Sequence, residues 1–125
     1  MKLTKNFSLS EFQSKCGREM PDDVKQNIQK LANSLQVLRD KLGKSITINS
    51  GYRSPEHNAK IGGVKNSQHV LGKAADIAVQ GLTTKQVASE IEKLIKSGDM
   101  LQGGIGIYPT FVHYDIRKTR ARWEK

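Results

Sequence analysis

With one cysteine, Cys16, the chain cannot form an intrachain disulfide, and a closed, cysteine-rich structural zinc site is excluded. As a lone residue it reads as a small packed hydrophobe. There is no apolar run near the roughly 18–20 residues that a membrane helix needs. The first ten residues carry Lys2 and Lys5 but no apolar stretch of the roughly 7–15 residues found in a secretory leader. No signal peptide or membrane insertion is therefore expected, and action outside the cytoplasm would need another export device. Acidic residues are also scarce, 12 against 21 basic ones, which leaves a net charge of +9. Such a surface seeks a polyanion, either nucleic acid or an anionic cell wall. The densest basic run, Arg117-Lys118-Thr119-Arg120-Ala121-Arg122-Trp123-Glu124-Lys125, reads as a solvated terminal segment with Trp123 folded back onto the body. The other basic residues are scattered, which argues against a nucleic-acid groove.

What is present suits one folded domain over residues 1–125, since a chain of 125 residues can bury a core without staples. Ser8 and Glu11 have capping-box spacing and predict a short helix that turns Leu9 and Phe12 inward. Val24, Ile28, Leu31, Leu35, Leu38 and Leu42 recur at steps of four and three, one helical stripe that starts at Asp22-Asp23 and stops at Gly43. Ser45–Asn49 alternates as a strand does, and Ala74–Val79 is a second strand. Thr83 and Gln86 cap another helix, with Val87, Ile91, Leu94 and Ile95 on one side. Residues 105–108 and 111–116 predict a hairpin around Pro109-Thr110. Between the first two strands, residues 56–73 read as loop with one short helix, and a loop this long in a small domain is usually functional. The fold class expected is α+β, a small antiparallel sheet with flanking helices.

His69 and Asp76, seven residues apart, and His113 far downstream supply two imidazoles and a carboxylate. Three such ligands make an open zinc site whose fourth position is left to water, a catalytic arrangement rather than a structural one. In the strand 111–116, His113 and Asp115 share a face, so His113 can enter a cleft with Asp115 beside it. Zinc held this way brings the pKa of water toward about 7 and polarises a carbonyl, which together hydrolyse an amide. The reaction also wants a proton shuttle and a cation for an oxyanion or a substrate carboxylate. Arg53, in the turn after the first strand, is the candidate cation. Asp115 is the nearest candidate shuttle, or else a group that orients a histidine or pairs with Arg117 or Arg53. His57 has no partner at a motif spacing and reads as structural or loop-lining.

Ser50-Gly51-Tyr52-Arg53-Ser54-Pro55-Glu56-His57-Asn58 together with Ser67-Gln68-His69-Val70-Leu71-Gly72-Lys73-Ala74-Ala75-Asp76 resembles the zinc D-Ala-D-Ala carboxypeptidase family. Gly103-Gly104-Ile105-Gly106-Ile107-Tyr108-Pro109, Phe111-Val112-His113-Tyr114-Asp115 and Arg120-Ala121-Arg122-Trp123 extend the likeness to nearly the whole chain. That family includes phage endolysins and shares its fold with murein endopeptidases and the hedgehog signalling domain. The resemblance implies one zinc ion on His69, Asp76 and His113, and a substrate anchored by Arg53 with Ser67 beside it. It implies peptidoglycan peptides as substrate; no nucleic-acid partner and a monomeric state are expected. Many relatives carry an acidic residue three positions before the last zinc histidine, or a histidine two before. Thr110 and Phe111 stand there in this chain. The missing leader fits a phage or prophage lysin released by a partner, or a virion component. The rival expectation is a wall-binding module that keeps zinc for structure alone.

Overall fold

The computed structural model describes every residue except Arg18, Lys65 and Asn66; the last two belong to the segment read above as loop. A single 3-10 turn, Leu9–Phe12, opens the domain, with the Ser8 N–H donating to the Glu11 carboxylate at 2.6 Å. The long helix α1 (Asp22–Leu42) follows. Its apolar stripe, Val24, Ile28, Leu31, Leu35 and Leu38, is buried, and each fully buried Leu or Ile contributes about 1.5–3 kcal/mol. Two aspartates face the positive end of the helix dipole, and Gly43 closes it in a left-handed conformation (φ 64°). The remaining elements are β1 (Ile46–Ser50), α2 (Pro55–Lys60), β2 (Ala74–Val79), α3 (Thr84–Lys96), β3 (Gly104–Ile107), β4 (Val112–Asp115) and β5 (Ala121–Glu124). The Thr83 hydroxyl accepts from the Gln86 N–H at 3.1 Å, and the Gln86 side chain accepts from the Thr83 N–H at 2.8 Å. That is the capping box expected of α3.

The five strands form one sheet in the order β1-β2-β4-β3-β5. Ile46 and Ile48, Ala75, Ile77 and Val79, Ile105, Val112 and Tyr114 turn one face of it into the core shared with α1 and α3. The α+β architecture is as expected, but the sheet is mixed. β1, β2, β4 and β3 run antiparallel to their neighbours, whereas β5 lies parallel to β3. The hairpin leaves the outer edge of β3 unpaired, and the returning tail fills it. The basic tail is thus a strand, pinned by Arg122, whose guanidinium donates to the Glu92 carboxylate on α3 at 2.6 and 2.8 Å.

Cys16 departs from expectation as well. It is exposed, because the turn before Gly17 leaves its thiol at the surface beside the hydroxyls of Ser14 and Ser54, 3.3 Å from each.

Candidate metal centre and cleft

One row of residues crosses the sheet on the face away from the core. Ser50 pairs with Asp76, Asp76 with His113, His113 with Gly106, and Gly106 with Trp123. Strand alternation puts this row on one side, so Asp76 and His113 meet although they are far apart in the chain. His69 joins them from the turns that precede β2. Its backbone N–H donates to the Ser67 hydroxyl at 3.1 Å, and its carbonyl accepts from the Arg53 N–H at 3.1 Å.

His69 Nε2 and His113 Nδ1 each lie 3.2 Å from Asp76 Oδ1, and all three side chains are buried. Tetrahedral ligation with bonds near 2.0–2.1 Å sets its ligand atoms roughly 3.3 Å apart, so the spacing fits a single small cation. The opposite nitrogens fix the tautomers. His69 Nδ1–H donates to the Gly51 carbonyl at 2.8 Å, and His113 Nε2–H donates to Asp115 Oδ2 at 2.7 Å. With neutral rings, the two nitrogens that face Asp76 then present lone pairs. Three electron-rich atoms converge with no proton between them, an arrangement that a divalent cation stabilises. Without a metal, burial alone would raise the Asp76 carboxyl, but imidazoles that turn a proton toward it outweigh burial and hold it well below the usual carboxylate range.

Gly51 and Gly106 make this geometry possible. A Cβ at Gly51 would stand 2.7 Å from the Phe12 Cα, so only glycine brings that carbonyl over His69. A Cβ at Gly106 would collide with the Trp123 indole, which lies across the strand and reaches the His113 ring at 5.1 Å between centroids.

Asp115 is fully buried beneath His113. Besides His113, its oxygens accept from the Gly104 N–H at 2.9 Å and from the Arg117 guanidinium at 2.7 to 3.1 Å. Burial pushes its pKa up, but these donors prevail and keep it well below the ordinary range. So weak a base, sealed from the cleft, is suited to orienting an imidazole and poorly suited to moving protons. Of the two pairings open to it, Arg117 is the one formed.

The three candidate ligands line a cleft of about 650 Å³ together with Arg53, Ser67, Tyr108, Phe111 and Trp123. Arg53 is anchored loosely, its nitrogens 3.3 Å from Ser50 Oγ, 3.4 Å from Asn58 Oδ1 and 3.4 Å from Asp76 Oδ2. Charge-assisted bonds at their best are about 2.7–2.9 Å, so the guanidinium retains capacity for a further anion. His57 lies in α2, beside a different depression, and is not among the convergent ligands.

A family profile described as Peptidase M15 matches residues 5–115. The chain belongs to the Peptidase M15 family. Over 83 residues it is 38% identical to a probable peptidoglycan L,D-endopeptidase, MepK, of Haemophilus influenzae, covering 61% of this chain and 41% of that protein. Over 44 residues it is 48% identical to the zinc D-Ala-D-Ala carboxypeptidase of Streptomyces albus G, covering 34% of this chain and 17% of that one. The matches thus span less than half the length of either relative.

Within this family member, sequence reading brought together His69, Asp76, His113 and Arg53 and missed the parts that aim them. The Gly51 carbonyl carries no side-chain signal. The indole of Trp123 was expected against the body, but not on a metal-site histidine. The available clue was Gly104-x-Gly106 inside a strand, a spacing that marks close approach by another group.

Proposed function

We propose that this chain is a zinc-dependent peptidase that hydrolyses a peptide bond in the stem peptides or crosslinks of bacterial peptidoglycan. The observation that carries the reading is the convergence of His69 Nε2, Asp76 Oδ1 and His113 Nδ1 at one point of a cleft that also holds Arg53. Zinc held by that triad would supply an activated water and a Lewis acid for the scissile carbonyl. The protein's own groups do the rest. Arg53 receives a substrate carboxylate or carbonyl in its unsaturated fork, and Ser67 offers a second polar contact. Gly51 and Asp115 keep the two imidazoles in the ligating tautomer, and Arg117 holds Asp115 ionised. The positive surface favours an anionic wall.

Digestion of purified peptidoglycan by the zinc-loaded protein, with His69→Ala as control and mass spectrometry of the soluble products, tests this. New fragments that need His69 establish the peptidase and name the bond through their masses. No fragments from a protein that holds one equivalent of zinc would refute it in favour of a non-catalytic wall-binding module.

A further inference from the structure

Hydrolysis of an amide places negative charge on the carbonyl oxygen, and a site that accelerates the reaction aims hydrogen-bond donors at that charge. Among the described cleft-lining residues the carboxylate is that of Asp76, already turned to the two histidines. Arg53, held only loosely by Ser50, Asn58 and Asp76, is left to a substrate carboxylate. Tyr108 is held differently. Its ring stacks on Phe111, with centroids 4.4 Å apart and planes 12° from parallel, across the turn of the β3–β4 hairpin. Its hydroxyl oxygen accepts from the Trp123 indole N–H at 3.0 Å.

An indole nitrogen can only donate, so this bond occupies a lone pair of the tyrosine oxygen and turns its proton away from Trp123. Both rings line the cleft that holds the metal-site triad. Trp123 is itself immobilised by the β3–β5 pairing, by the His113 ring at 5.1 Å and by the Arg117 guanidinium at 5.5 Å. A donor held by a rigid chain of partners costs little reorganisation when charge develops.

We infer that the Tyr108 hydroxyl, aimed by the Trp123 N–H, is a catalytic hydrogen-bond donor to the carbonyl oxygen of the bond being cut; the inference rests on the peptidase reading above. No proton leaves Tyr108. Its hydrogen bond shortens as the carbonyl oxygen gains charge and relaxes when the carbon–nitrogen bond breaks.

Tyr108→Phe keeps the ring stacked on Phe111 and removes the donor. The expected result is a kcat about 100-fold lower, with KM changed by less than about 3-fold and zinc affinity unchanged. A second readout is binding. A phosphinate that replaces the scissile amide mimics the charged oxygen, and its affinity should fall about as far as kcat, while that of the peptide product should hold. Trp123→Phe retains a ring against His113 but loses the N–H, and should show the same pattern at smaller amplitude. Full kcat and full phosphinate affinity in Tyr108→Phe would overturn the assignment, as would a loss confined to KM or to zinc binding. An inactive wild type with zinc bound would instead overturn the peptidase reading, and this inference with it.

Discussion

Replacing Asp115 by Asn tests the site at its most buried point. The carboxylate takes the His113 Nε2–H on one oxygen while the Gly104 N–H and Arg117 crowd both. Asparagine has one oxygen and one NH₂ for these donors. With the oxygen toward His113, the NH₂ faces Arg117 and Gly104, donor against donor. With the NH₂ toward His113, Nε2 must become an acceptor, and the imidazole proton moves to Nδ1, the nitrogen that faces Asp76. The second arrangement blocks ligation outright. Losing such an orienting carboxylate typically costs 10–100-fold in metal affinity, about 1.4–2.7 kcal/mol. Arg117 is partly solvated, its side chain 32% exposed, so the stability loss falls below the roughly 3–5 kcal/mol of a fully buried broken pair. Competition with a chromophoric chelator measures the zinc affinity, and urea unfolding of the metal-free protein measures the stability. Zinc affinity within about 2-fold of wild type, together with a large fall in kcat, would refute the orienting role and return Asp115 to the proton-shuttle role.

Two further predictions concern acid stability and the Gly106–Trp123 contact. Asp115 and Asp76 both have folded pKa values below their unfolded ones, so their contribution to stability is complete above the unfolded value, about 4, and is lost as pH falls below it. Urea unfolding of the metal-free protein should therefore show stability dropping through this acid range, with a shallower drop in Asp115→Asn; identical acid limbs would contradict the linkage. Gly106→Ala should drive the indole off His113 at a cost of about 1–3 kcal/mol, because the new methyl group meets the rigid indole ring rather than a flexible chain end. Tryptophan emission, which reports on Trp123 alone, should shift to the red, and an unshifted spectrum would show that the strand can accommodate the methyl group.

The parts of this protein that depend on neighbours in sequence were legible from the sequence itself. The stripe from Val24 to Leu38, the caps at Thr83 and Gly43 and the alternation around His113 are local patterns, set by helix and strand periods and by backbone groups that need partners within a turn. The candidate ligands could be named from sequence because three histidines are few enough for their spacing to carry information. Tertiary structure decided the rest. Pairing of β5 with β3 is non-local, and only that pairing lays Trp123 across Gly106 and against His113. The protonated nitrogen of each histidine is set by an acceptor from another segment, the Gly51 carbonyl for His69 and Asp115 for His113. Asp115 reads from sequence as equally fit to shuttle protons or to orient a ring. Its burial beneath His113, with Arg117 and Gly104 closing on it, favours orientation, because a carboxylate so fully supplied with donors has little basicity left.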